Sequence, residues 1–109
     1  MYYELSLTNS PEKFLLDEEV FHFLTTDPAF TKIDLIHNIR KHRLGFAIFR
    51  KEWKEFDGSY FTETIYLHKL IADKYLPKRP KFQVLMFKNG NKLDCRLENL
   101  EYGYRWVSL

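Results

Sequence analysis

Apolar and polar positions divide the chain into short segments whose periodicity changes along its length. Residues 2–7 (YYELSL) alternate loosely, which predicts a short edge strand ahead of the turn signal Thr8-Asn9-Ser10-Pro11. A brief apolar run at 13–16 leads into Asp17, which stands directly before Glu18-Glu19. That is helix-start chemistry, a side-chain oxygen for unpaired amides and acids at the positive helix end. A helix should follow, with Val20, Phe21, Phe23 and Leu24 on one apolar face. It ends at Thr25-Thr26-Asp27-Pro28, since proline disfavours a helical residue before it. An alternative starts this helix at Ser10-Pro11 and runs it to Leu24. Between 29 and 42, the spacing of Phe30, Ile33, Leu35, Ile36 and Ile39 suits a second short helix better than a strand.

The period then shortens. Gly45 opens the apolar run Phe46-Ala47-Ile48-Phe49, Asp57-Gly58 is a strong hairpin signal, and a second run returns from Tyr60, so residues 45–67 read as a β-hairpin. Phe46, Ile48, Tyr60 and Ile65 are read as core, and Trp53 and Tyr66 as the surface aromatics open to base stacking. Residues 68–75 are predicted helical, with Leu67, Leu70, Ile71 and Tyr75 inward and a stop at Leu76-Pro77. Lys78-Arg79-Pro80-Lys81 makes an exposed basic turn, and continuous apolarity makes 82–87 a buried strand. Asn89-Gly90 fits a tight turn with positive φ, after which Asp94, Arg96 and Asn99 are expected to hydrogen-bond a loop whose backbone otherwise lacks partners. Residues 102–109 suggest a closing strand. The class is α+β: one small domain over 1–109, an antiparallel hairpin or sheet with two or three short helices.

Composition narrows the classes. With 45% hydrophobic and 17% aromatic residues the chain has enough apolar material for a core and is not a disordered segment. It contains no apolar run of about 18 residues and no signal-peptide pattern at Met1-Tyr2-Tyr3-Glu4, so neither a membrane span nor secretion is expected, and the cytoplasm is the default. The single Cys95 forms neither an internal disulfide nor a Cys-based zinc site by itself, in keeping with a reducing compartment. No internal repeat, P-loop, dinucleotide fingerprint or nucleophile elbow is present. The net charge of +2 conceals an asymmetry. Residues 1–30 carry six acids against Lys13 alone, whereas 31–109 carry 16 Lys and Arg against nine acids, a basic body of the sign that phosphate contacts need.

The most particular residue types lie in 66–100. Leu67-His68-Lys69-Leu70-Ile71-Ala72, then Asn89-Gly90-Asn91, Leu93-Asp94, Arg96 and Glu98-Asn99-Leu100, follow one another in the order and spacing of the HNH homing-endonuclease-like family, including members associated with AP2-type DNA-binding domains. The resemblance reaches more weakly to Phe14-Leu15-Leu16-Asp17-Glu18-Glu19 and Gly45-Phe46-Ala47, and so spans roughly residues 13–100. It implies a partial ββα-metal unit at the C-terminus. It also implies where the chain departs. Registered on Gly90, the family's Asp-His pair, a metal ligand and the general base, falls on Met86 and Phe87, neither of which binds a hard divalent cation or activates water. The sequence also ends at Leu109, where active members continue into a helix bearing the last metal-site residue.

Three functions are therefore weighed. The first is a non-catalytic HNH-like domain that binds nucleic acid, duplex DNA before RNA, through Arg40, Lys41, Arg43, Lys78, Arg79, Lys81 and Arg96, with no metal or other cofactor. The second is a metal-dependent nuclease with a rearranged site built from His68, Asp94 and Asn99. The third is a protein-interaction or inhibitor module presenting aromatics to a partner. His68 itself is read as structural: at a helix start its imidazole stays neutral and hydrogen-bonds within the fold.

Overall fold

The first two apolar runs pair with each other. In the computed structural model, which describes residues 1–104, β1 (Tyr2–Ser6) and β2 (Lys13–Asp17) form an antiparallel hairpin with Tyr2 opposite Asp17 and Ser6 opposite Lys13. The alternative helix from Ser10 is thereby excluded. Alternation in β2 sends Phe14 and Leu16 fully into the core, and truncating either to Ala would cost about 2–5 kcal/mol.

Helix α1 (Glu18–Thr26) starts where expected, but Asp17 makes no side-chain bond to it. Its carboxylate instead accepts the Leu97 N–H at 2.7 Å, 80 residues away, so a residue expected as a cap is a tie between the two ends of the chain. The expected second helix over 29–42 is broken. Asp27 caps and Pro28 begins a four-residue α2 (Pro28–Thr31), because Asp34 then takes a left-handed φ of 48° that no α-helix accommodates. A 3-10 turn (Ile36–Asn38) and a two-residue strand β3 (Arg40–Lys41) complete the segment. The apolar spacing is real, since Leu35, Ile36 and Ile39 are buried, but a loop satisfies it.

The hairpin β4 (Ala47–Lys54) and β5 (Tyr60–Tyr66) pairs in register from Ile48–Tyr66 to Lys54–Tyr60, with β3 on the other side of β4. Its base is core, Ile48 fully buried and Phe46 and Ile65 half-buried. Its outer half is not. At roughly 3.3 Å per residue the strands outrun the domain they grow from. Tyr60, expected in the core, is 65% exposed, with Phe56, Phe61 and Trp53 also exposed around it.

Helix α3 (Leu67–Tyr75) buries Leu67, His68, Ile71 and Ala72 and stops one residue before Leu76-Pro77. Strand β6 (Gln83–Phe87) is half-buried along its length rather than buried, and Phe82 lies outside it, 80% exposed at φ 67°. Among the described residues only its partner β7 (Leu100–Tyr104), joined through a 3-10 turn at Leu97–Asn99, pairs with it. The part of the expected closing strand at 105–109 lies outside the described residues. Among the described residues, three small antiparallel sheets and three helices make the α+β fold. Leu15 links two sheets: its N–H donates to Leu93 O at 2.9 Å and its carbonyl accepts the Cys95 N–H at 3.0 Å. The loop between β6 and β7 is thus docked along β2, with Leu93, Cys95 and Leu100 in the shared core.

Candidate functional site

The β6–β7 loop is organised by two buried polar side chains. Gly90, at φ 76°, allows the Asn89-Gly90 turn to fold back, and Asn89 Oδ1 then accepts the Asn91 N–H at 2.8 Å. Asn99 fastens the loop from behind: Oδ1 accepts the Asn89 N–H at 2.9 Å and Nδ2 donates to Asp94 O at 2.9 Å. Both ends of one amide therefore satisfy backbone groups that have no strand partner. Asn99→Ala is expected to lower stability by about 1–3 kcal/mol, read as the shift of a denaturant midpoint. A midpoint equal to the parent's would show that this amide is not structural.

Asp94 is only 1% exposed, and each of its carboxylate oxygens accepts two hydrogen bonds. Oδ1 takes Arg96 Nε at 2.8 Å and Arg96 N at 3.3 Å, while Oδ2 takes Arg96 Nη2 at 2.7 Å and Asn89 Nδ2 at 2.8 Å. The side-chain hydrogen bond from Arg96 holds the Asp94 carboxyl below the usual aspartate range, against the opposing effect of burial. A carboxylate offers about four lone-pair sites, and here all are occupied by donors. Burial pushes the thiol of neighbouring Cys95 far above its ordinary pKa, so it stays protonated and packs as a small apolar group.

His68 stands elsewhere, in a nest of rings. Its imidazole stacks on Phe46 (5.1 Å between centroids, 14°), tilts against Phe87 at 4.8 Å and meets Tyr66 edge-on at 5.9 Å. At 4% exposure its pKa falls from 6.5 to about 4, by desolvation first and the Lys69 charge second. The neutral imidazole expected from the helix start is therefore a consequence of burial. The expected hydrogen bond within the fold is not made among the described residues, where Nδ1 is buried without a partner.

The positions in register with the family's Asp-His pair are occupied by apolar contacts. Phe87 closes on His68, and the Met86 methyl lies over Gly103, where an added Cβ would come within 2.7 Å of it. Among the described residues no three His, Cys, Asp or Glu side chains are grouped so as to hold a metal ion. The divalent metal that the resemblance implies therefore does not fit the described residues: Asp94 is saturated, Asn99 is engaged at both ends, and His68 faces rings.

The basic side chains fall into two groups. Arg40, Lys41 and Arg43 lie on β3 and the following turn. Lys41 Nζ pairs with Glu12, Arg43 is exposed, and Lys92, which the sequence did not single out, reaches the same turn through Leu44 O at 2.9 Å and sits 4.8 Å over Phe46. Lys78, Arg79 and Lys81 are exposed on the turn after α3, with Arg79 Nη1 donating to Gln83 O at 3.1 Å. A cleft of about 470 Å³ between α3 and the β6–β7 hairpin is lined by Phe46 and His68 together with Lys69, Asp73 and Arg79. Arg96 is different: its guanidinium is held by Asp94, by Glu98 at 2.8 Å and by the Tyr2 ring at 4.6 Å.

Comparison with known proteins adds one finding: a model of the HNH endonuclease family matches residues 65–105, so this part of the chain, from the end of β5 through the loop and β7, is HNH-like. The weaker correspondences at 14–19 and 45–47 lie outside the match. No curated protein and no solved structure matches the chain.

Proposed function

We propose that this protein is a nucleic-acid-binding module of HNH type that holds duplex DNA without cutting it. The observation that carries this reading is the Asp94 carboxylate, the one acidic side chain buried in the loop, saturated by four hydrogen bonds where a nuclease needs an oxygen open to metal. The loop survives as architecture, and its former centre is an aromatic cluster. Support for binding comes from the sign and position of the exposed charges. Lys69 and Arg79 line the cleft beside Asp73, Lys92 sits over the Phe46 ring that also lines it, and Arg43, Lys78 and Lys81 are exposed on the flanking turns. Arg96 contributes to the loop rather than to a phosphate. A cytoplasmic location goes with this reading.

Allowing for charges paired with acids, the basic body leaves about four to six phosphate contacts. The affinity for duplex DNA is expected to fall with salt at a log–log slope near −4 to −5, at roughly −0.9 per neutralised phosphate. Reversing Lys78, Arg79 and Lys81 to Glu is expected to weaken binding to all sequences alike and to flatten the slope by about 3, measured by fluorescence anisotropy across a salt series. An unchanged slope would remove this turn from the interface.

One observation favours a second reading, a protein partner. The outer hairpin exposes Trp53, Phe56, Tyr60 and Phe61, with Trp53 and Phe61 stacked at 6.4 Å and Lys51 Nζ 3.8 Å over the indole. This tip carries acids as well as bases, and absence of duplex binding even at low salt would favour it over the nucleic-acid reading.

A further inference from the structure

The β3–β4 ladder stops at the Arg40–Ile48 pair, and just beyond it a pocket of about 420 Å³ opens at the sheet end, lined by Thr8, Ile33, Asn38, Arg40, Phe49 and Arg50. We propose that this pocket is a phosphate-binding site. Arg40 lies opposite Ile48 and Arg50 two residues further along β4, so the register places the two side chains on one face as diagonal neighbours. Two like charges share one recess whose lining includes no carboxylate. Without an anion they repel each other, and with one their forked donors match tetrahedral oxygens in the bidentate manner of arginine–phosphate pairs.

A second observation points the same way. Arg40 Nε is buried and has no hydrogen-bond partner among the described residues. A charged donor removed from water without an acceptor is costly, and an oxyanion in the pocket supplies the acceptor. Thr8, also on the lining, is fixed beside the site by its N–H bond to Ile39 O at 2.9 Å. Ile33 and Phe49 contribute the apolar part of its lining. Arg50 was not among the basic residues that the sequence singled out.

The phosphate has two possible sources, the backbone of a nucleic acid or a free phosphomonoester, and the site stands independently of the nucleic-acid reading. The test is an NMR titration of the intact chain with inorganic phosphate, following the arginine Nε–H resonances, with chloride at equal ionic strength as control. Saturable shifts of Arg40 and Arg50 are expected with phosphate and not with chloride. Arg50→Gln, at an exposed position that leaves the fold intact, should weaken the phosphate affinity roughly tenfold or more. No saturable shift, or equal affinity in the parent and Arg50→Gln, overturns the proposal. A duplex lacking terminal phosphates that displaces inorganic phosphate identifies the backbone as the source; displacement by a phosphomonoester but not by the duplex identifies a small ligand. Phosphate binding without any duplex binding upholds this site while overturning the nucleic-acid reading.

Discussion

Asp94→Ala is expected to destabilise the protein by about 2–3 kcal/mol, because the donors that converge on its buried carboxylate lose their acceptor while Arg96 keeps only its exposed partner Glu98. The variant would strand the Arg96 guanidinium against Tyr2 and Glu98, release Asn89 Nδ2, and remove the acceptor for the Arg96 N–H. The damage should not stay local, because the loop backbone on either side of Asp94 is bonded to Leu15 in β2. Removing Asp94 and Arg96 together should cost less than the sum of the single changes, with a coupling of about 1–3 kcal/mol in a double-mutant cycle. The exposed Lys41–Glu12 pair supplies the contrast: Glu12→Ala should stay within about 0.5 kcal/mol of the parent. Denaturant midpoints measure all of these. An Asp94→Ala midpoint near that of Glu12→Ala would show that the loop does not depend on its carboxylate.

Acid is expected to unfold the chain in a window set by His68. The unfolded imidazole takes up a proton at an ordinary pKa near 6.5, while the folded one does so only at about 4. Between these values the unfolded state holds more protons, so the contribution is complete above about pH 6.5, declines as pH falls and is lost by about pH 4. At about 1.36 kcal/mol per pKa unit the full span is about 3 kcal/mol. His68→Phe, which keeps a ring among Phe46, Tyr66 and Phe87, should remove this component, so that the stability difference between parent and variant changes across pH 4–6.5. Asp94 acts in a lower window. Its carboxyl is held below 3.8, so its contribution persists above that value and disappears only as the pH drops through the depressed folded pKa. Parallel stability curves for the parent and His68→Phe between pH 4 and 7 would contradict the burial of an uncharged imidazole.

The sequence was most informative where a residue type has a single local use. Asn89-Gly90, Asp57-Gly58 and Leu76-Pro77 mark two turns and a helix end, and the structure places Gly90 and Gly58 at positive φ. The hydrogen-bonded loop of Asp94, Arg96 and Asn99 was legible for the same reason: short polar side chains in a segment without regular structure have few partners besides its own backbone. What local patterns did not reveal depends on distant contacts. Asp17 has every local feature of a cap, yet its carboxylate meets Leu97, a partner that no window of the sequence contains. Phe30, Ile33 and Ile39 sit at helical spacing on a chain that Asp34 turns left-handed. Tyr60 alternates as a core residue should, but alternation specifies a face and not whether anything covers it. His68 was placed correctly at a helix start, while the cause of its neutral state lies in rings supplied by two other segments.

The saturated Asp94 and the ring-packed His68 support the non-cutting half of the proposal that this HNH-like segment holds nucleic acid without cleaving it. Incubating the parent protein at low salt with a labelled duplex, in the presence of magnesium, manganese or zinc, measures binding and cleavage in one sample. A salt-sensitive complex from which the duplex is recovered intact with every metal is expected; metal-dependent cleavage that disappears in His68→Ala would overturn the proposal.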